Sequence, residues 1–137
     1  MERLLGIDFG TRRIGLALAE REVGLARPLA TLARRGGARD LEAVARLCAE
    51  QEAAAVVLGL PLNMDGSEGR MARLAREFGR ALGERTGLPV HLWDERLTSF
   101  EAEHQLRATG AKSARRKQKV DQVAAALILE SYLEANP

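Results

Sequence analysis

LLGIDFGTRRIGLA, residues 4–17, ends an apolar run with an aspartate and follows it with a glycine-containing turn. RLLGID (3–8) and RIGLALA (13–19), joined by FGTR, read as two strands of a hairpin. Packing gives no reason for Asp8, because apolar strand positions face a core and an ionised carboxylate there is costly. A helix end, a nucleotide phosphate or a metal ion would each supply one.

Outward from this hairpin, Pro28 argues that a third strand within residues 23–33 lies at a sheet edge. Asp40 reads as the N-cap of a helix through about Ala53, with Leu41, Val44, Ala45 and Cys48 on one face. Cys48 is then a small core residue. AAVVLGL (54–60) has the character of a buried strand, stopped by Pro61. A loop, PLNMDGSEG, leads into a helix from about Arg70 to Thr86 with Met71, Leu74, Ala75, Phe78 and Leu82 inward, ended by Gly87. PVHLW (89–93) is the last strand and runs into Asp94 and Glu95. Thr98-x-x-Glu101 has the form of a capping box opening a helix to about Ala108. Beyond a basic loop, Val120, Val123, Ala124, Leu127 and Ile128 mark a final helix. The order β-β-β-α-β-α-β-α-α predicts a mixed α/β sheet.

A length of 137 residues suits one domain, 1–137, and 46% hydrophobic with 29% charged residues is a globular balance. No apolar stretch approaches the roughly 20 residues of a membrane span, and MERLLGIDFG has no signal-peptide character. One cysteine excludes an internal disulfide framework and a multi-cysteine zinc site. A cytoplasmic protein without membrane attachment is expected. The net charge of +2 is uneven: RATGAKSARRKQK (107–119) holds six basic residues and no acid, a local field suited to phosphate backbones. With one Trp, one Tyr and three Phe, base stacking is a poor basis for recognition, and backbone and shape recognition fits better.

The five aspartates carry the chemistry. Asp8 ends the first strand, Asp94 and Glu95 follow the last, and Asp121 falls in the first turn of the final helix as read here. Ligands of open α/β sheets gather at the carboxyl ends of the strands. Carboxylates converging there repel unless a hard cation lies between them, and an all-oxygen set suits one or two Mg²⁺ or Mn²⁺ ions organising phosphodiester hydrolysis. Taken singly, Asp121 is better explained by the helix dipole, while Asp94 and Glu95 fit a turn beside Arg96 and Asp65 an Asp-Gly turn. His91 and His104 form no zinc spacing and receive no role.

GIDFGTRRIGLA, GLPLNMDGSEG, DERLTS and KVDQVAAALIL, in this order from residue 6 to residue 129, closely resemble the YqgF/RuvX family. The resemblance implies an RNase H-like mixed sheet of about five strands, the first three antiparallel, with helices on both faces. It implies a metal-dependent endonuclease that processes the 5′ end of precursor 16S rRNA during ribosome biogenesis, or resolves branched Holliday-junction DNA, or both. Asp8, Glu95 and Asp121 are the implied catalytic residues; the metal ligands come from Asp8, Asp94, Glu95 and Asp121. Successive strand residues face opposite ways, so Asp94 and Glu95 do not both face a metal, and the longer Glu95 is preferred. RNase H-like resolvases usually carry an acid after the fourth strand, whereas none directly follows Leu60 here. Either Asp65 bends in from the loop or the Asp94-Glu95 pair takes over that duty. Arg12, Arg13, Lys112, Arg115, Arg116, Lys117 and Lys119 are expected to grip phosphates, and Asn63 with the Gly66 backbone to position the strand. A resolvase needs a two-fold dimer for symmetric cuts, while a trimming nuclease can act as a monomer.

Two other readings compete. A non-catalytic module binding RNA or ribosomal precursors would use the basic run without needing the acids. An ATP site of the actin/Hsp70 kind also uses Asp-x-Gly-Thr in a strand-turn-strand, but closes two such domains over the nucleotide. A Walker A loop is excluded, because Leu16-Ala17 stands where Lys-Ser/Thr is required.

Overall fold

A computed structural model describes residues 1–96 and 113–137, the side chains of 113–120 excepted. Strands β1 (Arg3–Phe9), β2 (Arg13–Glu20), β3 (Ala26–Ala33), β4 (Ala55–Leu60) and β5 (Val90–Asp94) form one sheet in the order β3-β2-β1-β4-β5. The first three are antiparallel, and β4 and β5 run parallel to β1. Helices α1 (Gly37–Glu50) and α2 (Arg70–Thr86) cover one face, and α3 (Ser113–Ala135) covers the other. Pro28 lies on edge strand β3, opposite Ala17 beside a register shift, where its missing N–H costs least.

Side-chain alternation sorts the two faces by size. Leu5, Ile7, Phe9, Ile14, Leu16, Leu18, Val56 and Leu58 face α1 and α2 and pack on Val44, Ala75, Phe78 and Leu82. The opposite face carries Leu4, Gly6, Asp8, Arg13, Gly15, Ala17, Ala19, Ala55, Val57 and Gly59, and glycine or alanine fills six of these ten positions. Helix α3 therefore descends onto backbone. A Cβ on Gly6 would lie 2.8 Å from the Ala125 carbonyl oxygen, and one on Gly15 only 2.1 Å from that of Asp121. Ala125, Ile128, Leu129, Tyr132 and Leu133 fill the layer between. Trp93 Nε1 donates to Ser131 Oγ at 2.9 Å and Gln122 Nε2 to Thr31 Oγ1 at 2.9 Å, fastening the helix to β5 and β3.

Four sequence expectations change. Helix α1 starts at Gly37, so Asp40 lies in its first turn. Its carboxylate reaches back to accept from the Arg35 and Gly36 N–H groups at 2.8 and 3.2 Å and from Arg34 Nε at 2.7 Å. Helix α3 begins at Ser113, so Asp121 lies beyond its first two turns and the helix dipole does not account for it. Residues 113–119 of the basic run have helical backbone rather than loop, because nothing between Ser113 and Val120 breaks a helix. Val123 and Leu127 are also partly exposed, the buried stripe of α3 being rotated toward Ala125 and Leu129. The capping box at Thr98 and His104 lie outside the described residues.

Gly15→Ala should lower stability by about 1–3 kcal/mol through overpacking against the α3 backbone. Gly37→Ala, with nothing within 4 Å of the added carbon, should be neutral or slightly stabilising. Thermal unfolding of the two variants checks the contrast. Burial works against the charge of Asp40, but the Arg34 ion pair and the two N–H donors outweigh it and hold its pKa below the ordinary aspartate value. A lowered folded pKa stabilises above the unfolded value and is lost as pH falls through the folded one. Asp40→Ala should cost roughly 3 kcal/mol at pH 7, and urea unfolding should show the gap to wild type narrowing below about pH 4.

Candidate active site

The carboxyl end of β1 is where the small-residue face meets solvent. Asp8 pairs with Gly15 across the β1–β2 ladder, so both face α3, and Asp121 lies directly over Gly15. Phe9 turns the opposite way and stacks on Phe78 with ring centroids 4.6 Å apart. Arg34 lies 4.4 Å above the Phe9 ring and donates Nη1 to the Gly10 carbonyl at 2.9 Å, clamping the turn that follows Asp8. Gly10 N–H closes that turn on the Arg13 carbonyl at 2.9 Å.

Alternation also separates the two acids after β5. Asp94 pairs with Leu60 and shares its face, while Gly59 pairs with Trp93. The Glu95 N–H continues the ladder to the Leu60 carbonyl at 3.3 Å, so the Glu95 side chain returns to the face of Gly59, Asp8 and α3. A Cβ on Gly59 would lie 2.4 Å from Glu95 Oε2, so the missing side chain is the space the carboxyl occupies. Asp94 is tied to Arg96 at 2.7 Å. Arg96 carries that link on to the Met64 carbonyl at 3.1 Å, which holds the 61–68 loop against the end of β5.

Asp8 and Glu95 share a hydrogen bond in which the Glu95 carboxyl donates. Desolvation, then the negative charge of Asp121, pushes Asp8 up to about 6 despite that bond. Desolvation, then the charge of Asp8, pushes Glu95 up to about 8. Two acids holding one proton between them titrate as a pair. Asp121 Oδ2 accepts from Arg13 Nε at 2.7 Å.

The family described as "RuvX: Holliday junction resolvase" matches residues 2–135. This chain belongs to that family. It is 50% identical over 132 residues to a protein of Anaeromyxobacter dehalogenans (strain 2CP-C) named "Putative pre-16S rRNA nuclease", covering 96% of each chain. It is 46% identical over 134 residues to a protein of the same name from Azotobacter vinelandii, covering 98% of this chain and 94% of that one. The RuvX fold here superposes on T. thermophilus RuvC in complex with a Holliday junction substrate with a TM-score of 0.61 at 19% identity, covering 99% and 96% of the two chains. Fowlpox virus resolvase with Holliday junction DNA gives 0.59 at 12% identity, covering 98% of each. These two likenesses show the RNase H-like fold.

Within this RuvX chain the structure brings Asp8 and Glu95 together and sets Asp121 beside them, while Asp94 and Asp65 are engaged elsewhere. Asp65 is exposed and accepts from the Ser67 N–H at 2.9 Å and its hydroxyl at 2.6 Å, an Asx turn completed by Gly66 at φ 87°. The position left open after the fourth strand is instead reached by Glu95, lying over Gly59. Arg12 is exposed on the hairpin turn, and Arg13 is committed to Asp121. Asn63 is exposed and donates to Ser67 Oγ at 3.0 Å within its own loop. Arg115, Arg116, Lys117 and Lys119 lie on the first turns of α3, where only the backbone is described; Lys112 lies outside the described residues. His91 stacks on Tyr132 at 5.3 Å, a packing role, and burial of Cys48 pushes its thiol up to about 11.

Gly15 and Gly59 escaped the sequence reading as site residues. An isolated glycine inside an apolar strand marks a close approach, and that signal was available in RIGLA and VLGL. The donor set suits a hard divalent cation: two adjoining carboxyls in a cradle that a Cβ would fill, with a third charge in reach. Among the described residues, no three such side chains are gathered closely enough to hold an ion.

Carbon-detected NMR titration of the metal-free protein should find Glu95 protonated well above the ordinary glutamate range. Asp8→Asn should bring Glu95 down without restoring the ordinary value, because desolvation is the larger cause. No movement of Glu95 in that variant would show the two groups to be uncoupled.

Proposed function

We propose that this RuvX-family nuclease is a metal-dependent endonuclease that trims a precursor of 16S ribosomal RNA at its 5′ end, with Asp8, Glu95 and Asp121 holding one or two Mg²⁺ or Mn²⁺ ions. The observation that carries the reading is the Asp8–Glu95 contact over Gly59, since a phosphate-binding module gains nothing from adjoining carboxyls in its groove. Support for the substrate comes from the name of relatives about half identical over nearly the whole chain. Branched DNA is the second reading, supported by the description of the family itself.

When bound, the ions supply an activated water and charge neutralisation at the departing oxygen. The residues of the chain do the placing. Asp8 and Glu95 give up their shared proton to present two anionic oxygens at one point. Gly59 leaves the room for this, and Arg34 keeps the turn after Asp8 from shifting. Arg12, on the exposed turn, and the basic first turns of α3 engage flanking phosphates. Arg96 fixes the 61–68 loop so that Asn63 stays at the same edge. A monomer suffices for trimming; junction resolution requires two copies. No helix among the described residues is long and apolar enough to cross a membrane.

Wild type and Asp8→Asn incubated with Mg²⁺ or Mn²⁺ and two labelled substrates, a four-way DNA junction and an rRNA fragment spanning the mature 5′ end, test the proposal. Wild type should cut the RNA and Asp8→Asn should be slower by more than about a hundredfold with its melting temperature retained. Turnover unchanged in Asp8→Asn would overturn the mechanism; cleavage of the junction alone would establish the second reading. Arg12→Ala should weaken binding and lower the slope of log affinity against log salt by about 0.7 to 0.9.

A further inference from the structure

Arg13 is the first residue of β2 and shares with Gly15, two residues on, the face that carries α3. Its guanidinium therefore meets Asp121 where the helix crosses Gly15, at 2.7 Å, with side-chain exposures of 30% and 18%. Asp8 and Glu95 bond to each other directly, whereas Asp121 reaches Asp8 through its charge. The third carboxylate is thus already satisfied by a cation belonging to the protein. The pair is only partly buried, so water and an incoming anion can still reach the guanidinium. A guanidinium binds phosphate with the same fork geometry that it offers a carboxylate. Thr11 and Arg12, next along the turn, are exposed, so a phosphodiester can reach this point.

We infer that Arg13 is an exchangeable counter-ion: in the free protein it neutralises Asp121, and an incoming phosphodiester draws the guanidinium away and releases Asp121 to join Asp8 and Glu95 around a divalent cation. The inference rests on the metal-dependent nuclease reading above. Arg13 is in this sense a positioning residue, acting on the cation through Asp121. The exchange makes nucleic acid and cation cooperative, and thermodynamic linkage makes that cooperativity reciprocal. It also ensures that the acids are fully assembled only when a strand lies across them.

The test is Mn²⁺ binding to the full chain, followed by electron paramagnetic resonance of the free ion. It is run without nucleic acid and with a single-stranded RNA that gel analysis shows to stay intact. Wild type should bind Mn²⁺ more tightly with RNA present. Arg13→Gln should bind it roughly five- to tenfold more tightly than wild type without RNA, and RNA should add little. Arg13→Lys, which keeps the charge, should stay near wild type, and Arg13→Met, a second uncharged variant, should repeat the behaviour of Arg13→Gln if that protein proves unstable. Equal or weaker Mn²⁺ binding by the uncharged variants, or an undiminished RNA effect in them, overturns the exchange. Identical Mn²⁺ binding by wild type and Asp8→Asn would instead overturn the metal reading on which it rests.

Discussion

Helix α3 rests on glycine. Gly6, Gly15 and Gly59, one on each of three adjacent strands, leave no side chain between the sheet and the helix or the groups beside it, and a Cβ at any of them would collide. The opposite face of the same strands carries Ile, Leu, Val and Phe, which pack against α1 and α2. This asymmetry has a price, since glycine loses more chain entropy on folding than any other residue. In exchange, a helix-borne aspartate reaches a strand-borne one at the carboxyl end of the sheet. The hydrogen bonds from Trp93 and Gln122 then keep the helix from sliding along its smooth track.

Electrostatics follow from that approach. Asp8 and Glu95 are drawn out of water, and desolvation outranks every other influence on both. Among the described residues, arginines pair with three other acids: Arg13 with Asp121, Arg96 with Asp94 and Arg34 with Asp40. Buried carboxyls that share a proton are costly in the free protein and favourable partners for a cation, which is the arrangement expected of groups selected for work rather than stability.

Much of this was legible in the residues. The hairpin around FGTR, the edge position announced by Pro28, and the helix from Arg70 to Thr86 ended by Gly87 in the left-handed conformation all follow from local chemistry. Asp8 could be singled out because an acid in an apolar strand has no local explanation. What local chemistry does not contain is register. The choice between Asp94 and Glu95 turns on which residue of β5 lies opposite Gly59, and that depends on a parallel pairing between strands separated by a whole helix. The length preference for Glu95 reached the residue that faces Asp8 by a different reason from the one that operates. The start of α3 is not legible in the same way, because a run of basic residues suggests a solvated loop although lysine and arginine are good helix formers. Likewise, Asp40 caps from inside its helix, since its carboxylate is long enough to fold back over the first turn.

The order of the chain gives the last helix a temporal meaning. Asp8 leaves the ribosome ahead of Glu95 and Asp121, and β1, β2 and β3 can pair as a meander while synthesis continues. β4, β5 and finally α3 arrive later, and until α3 settles, the small-residue face is open to water and Asp121 has no fixed place. Domains fold as their parts emerge, N-terminal portions first. The three acids thus come together only once α3 has been made, so that the strands synthesised before it spend that interval without an assembled set of carboxylates.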